Sequence, residues 1–270
     1  MFLHLFDCFR PKETYRDCII SSVFPPHVTK YLQAMKGFNK STWQDIAQTH
    51  FGVTLMFCDI VEFSKMSHET RPELVMKYLH AFYTLLDNAL DSYPNLYKVE
   101  TIGDCIVVAA RLFDNCTEEE GANSMMSYAI EAQAIAKTIN MPNTGRGTEV
   151  RIGIHTGEVT TGVVGVRMPR FTVFGDTVNT TARLQSSSSP SHIVVSQYTR
   201  GLLRDLVDSE QIIVTEFSKK DNLFGIGEVQ SHAFQIFRSL DQASRSPSEI
   251  LKKITGEFSH QFNESRENEF

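Results

Sequence analysis

Residues 95–110 read NLYKVETIGDCIVVAA, and the pairing within this stretch decides the fold. NLYKVET and CIVVAA have the make-up of two strands, and Ile102-Gly103-Asp104 joins them as a hairpin. Upstream, GVTLMFCDI at 52–60 is an apolar, β-rich run with Asp59 near its end. Between that run and the hairpin, Leu74, Tyr78, Leu79, Phe82, Leu85, Leu86 and Ala89 recur at helical spacing. Thr70 followed by Glu73 predicts a capping box for this helix, with Pro72 in its first turn. Downstream, a second helix is predicted over about 118–140, and EVRIGIHTGEV at 149–159 reads as a strand ending in a glycine turn. The order is β-α-β-β-α-β, an α+β sandwich of the split βαβ or ferredoxin-like kind. Beyond it, short strands alternate with a helix near 177–186, which Asp176 is expected to cap, and a turn-rich segment fills 186–191. Residues 14–36 carry a helical pattern broken by Pro25-Pro26, and the chain is polar after about 240. No internal repeat is visible.

Composition bounds the function classes. The 270 residues are 41% hydrophobic and 21% charged, an ordinary globular balance. The net charge of −6 argues against non-specific nucleic-acid binding. No apolar run reaches the ~18 residues that a membrane helix needs. The apolar start, MFLHLFDCFR, contains Asp7 and lacks a small-residue cleavage site, so it does not read as a signal peptide. Cys8, Cys18, Cys58, Cys105 and Cys116 form no CxxC pair, which suits reduced thiols and a cytoplasmic setting.

The chemistry concentrates on acids at strand ends. In the predicted sheet, Asp59 and Asp104 can lie side by side. Two carboxylates so placed repel unless a cation sits between them. Hard divalent ions suit such oxygens and keep substrate phosphates in their shell. The stretch after Asp59, residues 60–64 (Ile60, Val61, Glu62, Phe63, Ser64), turns toward a helix and can offer backbone N–H groups to a phosphate. Either Asp alone would read equally well as a turn residue.

Four stretches carry a resemblance: VTLMFCDIVEFS (53–64), KVETIGDCIVV (98–108), VRIGIHTGEVTTGVVG (150–165) and RMPRFTVFGDTVNTTARLQS (167–186). In that order and spacing they resemble the class III nucleotidyl cyclase catalytic domain, over about 50–238. SSVFPPHVTKYLQ at 21–33 resembles the helical linker that precedes it. The resemblance implies a helical linker or dimerisation segment at 1–46, a catalytic domain with a C-terminal α/β extension at 47–240, and a polar tail at 241–270.

It further implies that the ribose 3′-OH of a nucleoside triphosphate attacks the α-phosphate and pyrophosphate leaves. Asp59 and Asp104 would hold two Mg²⁺ or Mn²⁺ ions per site, with the Ile60 carbonyl assisting. Asn179 and Arg183, at i and i+4 on one helix, would orient the ribose and neutralise the α-phosphate. Glu100 and Thr172 would read the base. A carboxylate at 100 can accept both guanine donors, N1–H and the 2-amino group, whereas it would repel the adenine N1 lone pair. A threonine hydroxyl suits either purine. GTP is therefore the expected substrate and ATP the alternative. In the family the metal residues and the base, ribose and phosphate residues of one site come from different, antiparallel domains. All six stand in this chain, so a head-to-tail homodimer with two complete sites is implied. The other readings are a dual-specificity or adenylate cyclase, a nucleotide-binding regulatory subunit, and a ferredoxin-like interaction module. The last leaves the acids, Asn179 and Arg183 unexplained. An upstream sensor domain is a further implied partner.

Two stretches depart from the family pattern. Glu62 stands where glycine is common. Phe224 and Ile226 stand where lysines often meet the triphosphate; Lys219 and Lys220 lie nearby, but a solvated pair is the simpler reading for them. His155 is expected to be structural, and Cys105 to point into the core.

Overall fold

The computed structural model describes residues 24–25, 28–30, 47–165 and 168–203, together with the backbone of 219–223 and 227–234. Phe224, Ile226, most of the 1–46 segment and the 241–270 tail lie outside the described residues.

Strand β1 (Gln48–Ile60) is followed by helices α1 (Phe63–Glu69) and α2 (Pro72–Leu90), the hairpin β2 (Leu96–Ile102) and β3 (Cys105–Ala110), helix α3 (Glu118–Thr138) and strand β4 (Val150–Val164). These strands lie in the order β2-β3-β1-β4, each antiparallel to its neighbour, as the βαββαβ reading requires. The expected extension follows: β5 (Arg170–Phe174), α4 (Asp176–Ser187), β6 (Ile193–Ser196), α5 (Gln197–Leu202), β7 (Lys219–Leu223) and β8 (Gly227–Phe234). It adds β6, β8 and β7 to the sheet beyond β4, while β5 pairs with the far half of β4.

The sheet has two unlike faces. Met56, Cys58, Ile60, Ile106, Val108 and Ile152 point to the face covered by α2 and α3. Helix α2 buries Val75, Tyr78, Phe82, Leu86 and Ala89 there. Helix α3 lies against the same layer with an alanine- and methionine-rich stripe from Ala122 to Ala136. Burying a side chain of the Phe82 or Leu86 class contributes about 1.5–3 kcal/mol. The other face holds Val53, Leu55, Ala109, Val159, Phe171 and Val173, with Val28 of the N-terminal segment fully buried among them. By strand alternation Asp59 belongs to this second face.

Local details differ from the sequence expectations for physical reasons. Helix α2 begins at Pro72 with Arg71 as its N-cap and no side-chain cap, so the Thr70–Glu73 capping box does not form; Thr70 instead ends α1, a separate short helix. A true capping box opens α3, where Thr117 and Glu120 bond each other's backbone N–H at 3.1 and 2.8 Å. Strand β4 does not turn at Gly157 but runs on to Val164, because Gly157 is where Thr177 of α4 packs. Gly175, at φ 129°, caps α4 in place of Asp176. Leu74 is exposed and Val75 takes its place in the core.

Candidate active site

The hairpin is closed by two residues, Gly103 and Asp104, between the paired Ile102 and Cys105. Gly103 adopts φ 62°. A Cβ there would meet nothing within 4 Å, so backbone conformation rather than space calls for glycine. Tyr83 of α2 donates its hydroxyl to the Gly103 carbonyl at 3.0 Å and pins the turn.

That turn delivers Asp104 to Asp59. Asp59 lies opposite Cys105 in the β1–β3 ladder, one residue from Asp104. The Asp104 carboxyl is pushed up to about 6, first by burial, then by the charge of Asp59, with a carboxyl–carboxyl hydrogen bond adding to it. Two carboxyls in this relation are short of positive charge. Arg151 of β4 supplies some, donating from Nη2 to Asp59 Oδ2 at 2.7 Å. Gln185 of α4 donates to the same oxygen at 3.2 Å. Ile60 closes β1 opposite Val150 with its side chain buried.

Glu100 reaches this face through a β-bulge. Lys98 pairs with Val108 and faces α2, where it bonds Asp87 at 2.7 Å. Glu100 pairs with Val107, so Val99 is an extra residue that moves Glu100 to the opposite face. Thr172 of β5 donates to Glu100 Oε1 at 3.2 Å. The two residues expected to read a base are therefore in contact.

Asn179 and Arg183 share α4 but look away from their own Asp59. Gln185 is buried against the sheet, and Arg183, two residues earlier, lies about 200° round the helix. Asn179 is exposed, while Arg183 has a buried Nη1 with no hydrogen-bond partner. The helix is seated by Gly153, where a Cβ would meet the backbone of Gln185 and the Thr181 carbonyl.

A family model described as the adenylate and guanylate cyclase catalytic domain matches residues 46–235. The chain belongs to this family. Guanylate cyclase 2G of Mus musculus is 37% identical over 188 residues, covering 68% of this chain and 16% of its own length. Retinal guanylyl cyclase 1 of Homo sapiens is 35% identical over 199 residues, covering 73% and 17%. The chain thus spans about a sixth of the length of these two relatives. Among solved structures, the guanylate cyclase domain of RhGC from Catenaria anguillulae in complex with GTP superposes with a TM-score of 0.63 at 27% identity, covering 71% of this chain and 100% of that one.

The cyclase loop after Asp59 carries two surprises. The Val61 N–H is donated to the Glu149 carbonyl at 2.9 Å, so it is already committed. Phe63 and Ser64 open α1, and their N–H groups precede its first intrahelical bond. Glu62 sits between them and Val61 at φ 57°, the left-handed region that a glycine would occupy without strain. Glu62→Gly should therefore stabilise the fold by about 1 kcal/mol. Urea unfolding checks this.

Three supporting residues escaped the sequence reading. Arg151 is a lone cation in an apolar strand, which was a usable signal. Gln185 and Tyr83 gave none, since a helix glutamine and a helix tyrosine are ordinary. The Cys105 expectation is corrected: by register it shares the face of Asp59 and is half-buried, outside either core cluster. Burial, followed by the surrounding carboxylates, pushes its thiol up to about 12, so it stays protonated. His155 is structural as expected, with Nδ1 hydrogen-bonded to Ser196 Oγ at 2.7 Å and burial lowering its pKa. Among the described residues no helix is long and apolar enough to cross a membrane, and no group of three or more His, Cys, Asp or Glu gathers as a metal cage.

Proposed function

We propose that this chain is the catalytic domain of a guanylate cyclase that converts GTP to 3′,5′-cyclic GMP and pyrophosphate, at two sites shared across a head-to-tail homodimer. The observation that carries the reading is the carboxyl pair Asp59–Asp104 on the same sheet face as the Glu100–Thr172 pair. The donor set fits Mg²⁺ or Mn²⁺: two adjacent carboxyls, one with a raised pKa, beside the Ile60 backbone, with substrate phosphates completing the shell. Two such ions, when bound, would acidify the ribose 3′-OH and neutralise the triphosphate.

The chain's own residues do the rest. Asp59 and Asp104 would hold the ions at the hairpin end of the sheet. The Phe63 and Ser64 amides would meet the phosphates, and Arg151, paired with Asp59, would add positive charge beside them. From the partner protomer, Glu100 accepts the guanine N1–H and 2-amino hydrogens. Asn179 orients the ribose, and Arg183 faces the charge that grows on the α-phosphate. The direction of Asn179 and Arg183, about 240° and 200° round the helix from Gln185, supports sharing in trans rather than a site within one chain. Lys219 and Lys220 stand on the outermost strand, β7, four strands from β1. GTP supply makes the cytoplasm, or the cytosolic side of a larger membrane protein, the setting.

One observation favours some use of ATP. The Thr172 hydroxyl donates to Glu100 and so turns lone pairs outward, which suits the adenine 6-amino group. Assaying the purified chain with Mn²⁺ and each triphosphate tests the choice. Cyclic GMP should dominate; more cyclic AMP than cyclic GMP would sink the guanylate reading, and no product from either would sink the enzyme reading.

A further inference from the structure

We propose that Gln185 is a positioning residue for Asp59, fixing the carboxylate in the orientation in which it takes up a divalent ion. The inference rests on the metal-site reading above. Gln185 is only 9% exposed, and its Nε2 donates to Asp59 Oδ2 at 3.2 Å. The same oxygen accepts from Arg151 at 2.7 Å. The two donors are not equivalent. A guanidinium beside a carboxylate competes with an incoming cation, because both neutralise the same charge. A neutral amide restrains the carboxylate without neutralising it, as outer partners of metal ligands do. Both donors sit on Oδ2, so the amide would keep that oxygen held and leave Oδ1 to face a cation, whether or not Arg151 stays.

The origin of this side chain is itself fixed. The Gln185 backbone rests on Gly153 of β4, the strand that also carries Arg151 two residues earlier. The amide therefore cannot drift with the loop ends. Losing its partner would also leave a buried polar group unsatisfied. The face of α4 that holds Asp59 lies away from the face that carries Asn179 and Arg183. One rigid helix thus supports the metal end of its own site and the phosphate end of the partner's.

Gln185→Met keeps the size and removes the donor; Gln185→Asn keeps the donor and withdraws its reach. Two readouts follow the metal: the rise in melting temperature with added Mn²⁺ in the absence of nucleotide, and the Mn²⁺ dependence of cyclic GMP formation. Both variants should need about tenfold more Mn²⁺ in both readouts. The GTP-to-ATP preference should stay at the wild-type ratio, since Glu100 and Thr172 are untouched. Wild-type Mn²⁺ dependence in the two variants overturns the proposal, because a packing role alone would lower the metal-free melting temperature and leave the metal response intact. Asp59→Ala is the control. If the wild-type protein responds to Mn²⁺ no better than Asp59→Ala, the metal-site reading itself fails, which is a different result from an unaffected Gln185 variant.

Discussion

Asp104→Ala should lower cyclase turnover by about 10³-fold, since it removes half of the carboxylate set proposed to hold the ions, and losing several kcal/mol of transition-state stabilisation has that effect. The same variant should be more stable than wild type in metal-free buffer above pH 6. The sign follows from the environment. Burial and Asp59 raise the Asp104 carboxyl from 3.8 to about 6, so the folded chain binds this proton more tightly than the unfolded chain does. Stability therefore falls as pH climbs between those values, and above 6 the charged pair exerts its full penalty. Removing the carboxyl removes that penalty. Thermal melts at pH 7.5 with EDTA, set beside turnover with Mn²⁺, should move in opposite directions. A variant that loses both activity and stability would show that Asp104 holds the hairpin rather than an ion.

Gly153→Ala should be the most damaging single methyl group near the site. The new Cβ would collide with the backbone of Gln185 and the Thr181 carbonyl, neither of which can rotate away. Helix α4 must lift, carrying Asn179, Arg183 and Gln185 with it. Overpacking of this kind costs about 3 kcal/mol. Gly103→Ala makes the comparison, because it meets open space and suffers only from φ 62°, worth about 1 kcal/mol. Urea midpoints should rank wild type, then Gly103→Ala, then Gly153→Ala, with cyclase activity lost in the last.

What could be read from the sequence depended on how local each signal was. The hairpin and the βαββαβ order were legible because strand alternation and helical spacing are written over short stretches, 95–110 and 74–89. The Asp59–Asp104 pair followed from that topology, since a two-residue turn next to a central strand leaves little freedom. The Glu100–Thr172 contact came from family resemblance; the bulge at Val99 that makes it work has no signature in KVET itself. Arg151, Gln185 and Tyr83 were missed because each acts across the sheet, where periodicity is silent. The capping box was placed at Thr70 instead of Thr117 for a related reason: the motif is short, and tertiary packing chose Pro72 as the start of α2.

KVETIGDC at 98–105 holds the central claim, because Glu100 and Asp104, four residues apart, are assigned to different active sites of one dimer. Mixing purified Glu100→Lys and Asp104→Ala chains tests this most directly. In the heterodimer one site carries both lesions and the other neither. Each variant alone should be inactive with GTP, and an equal mixture, with half its dimers mixed and half their sites intact, should recover about a quarter of wild-type activity. No recovery from a mixture in which heterodimers are demonstrated would contradict the shared-site account.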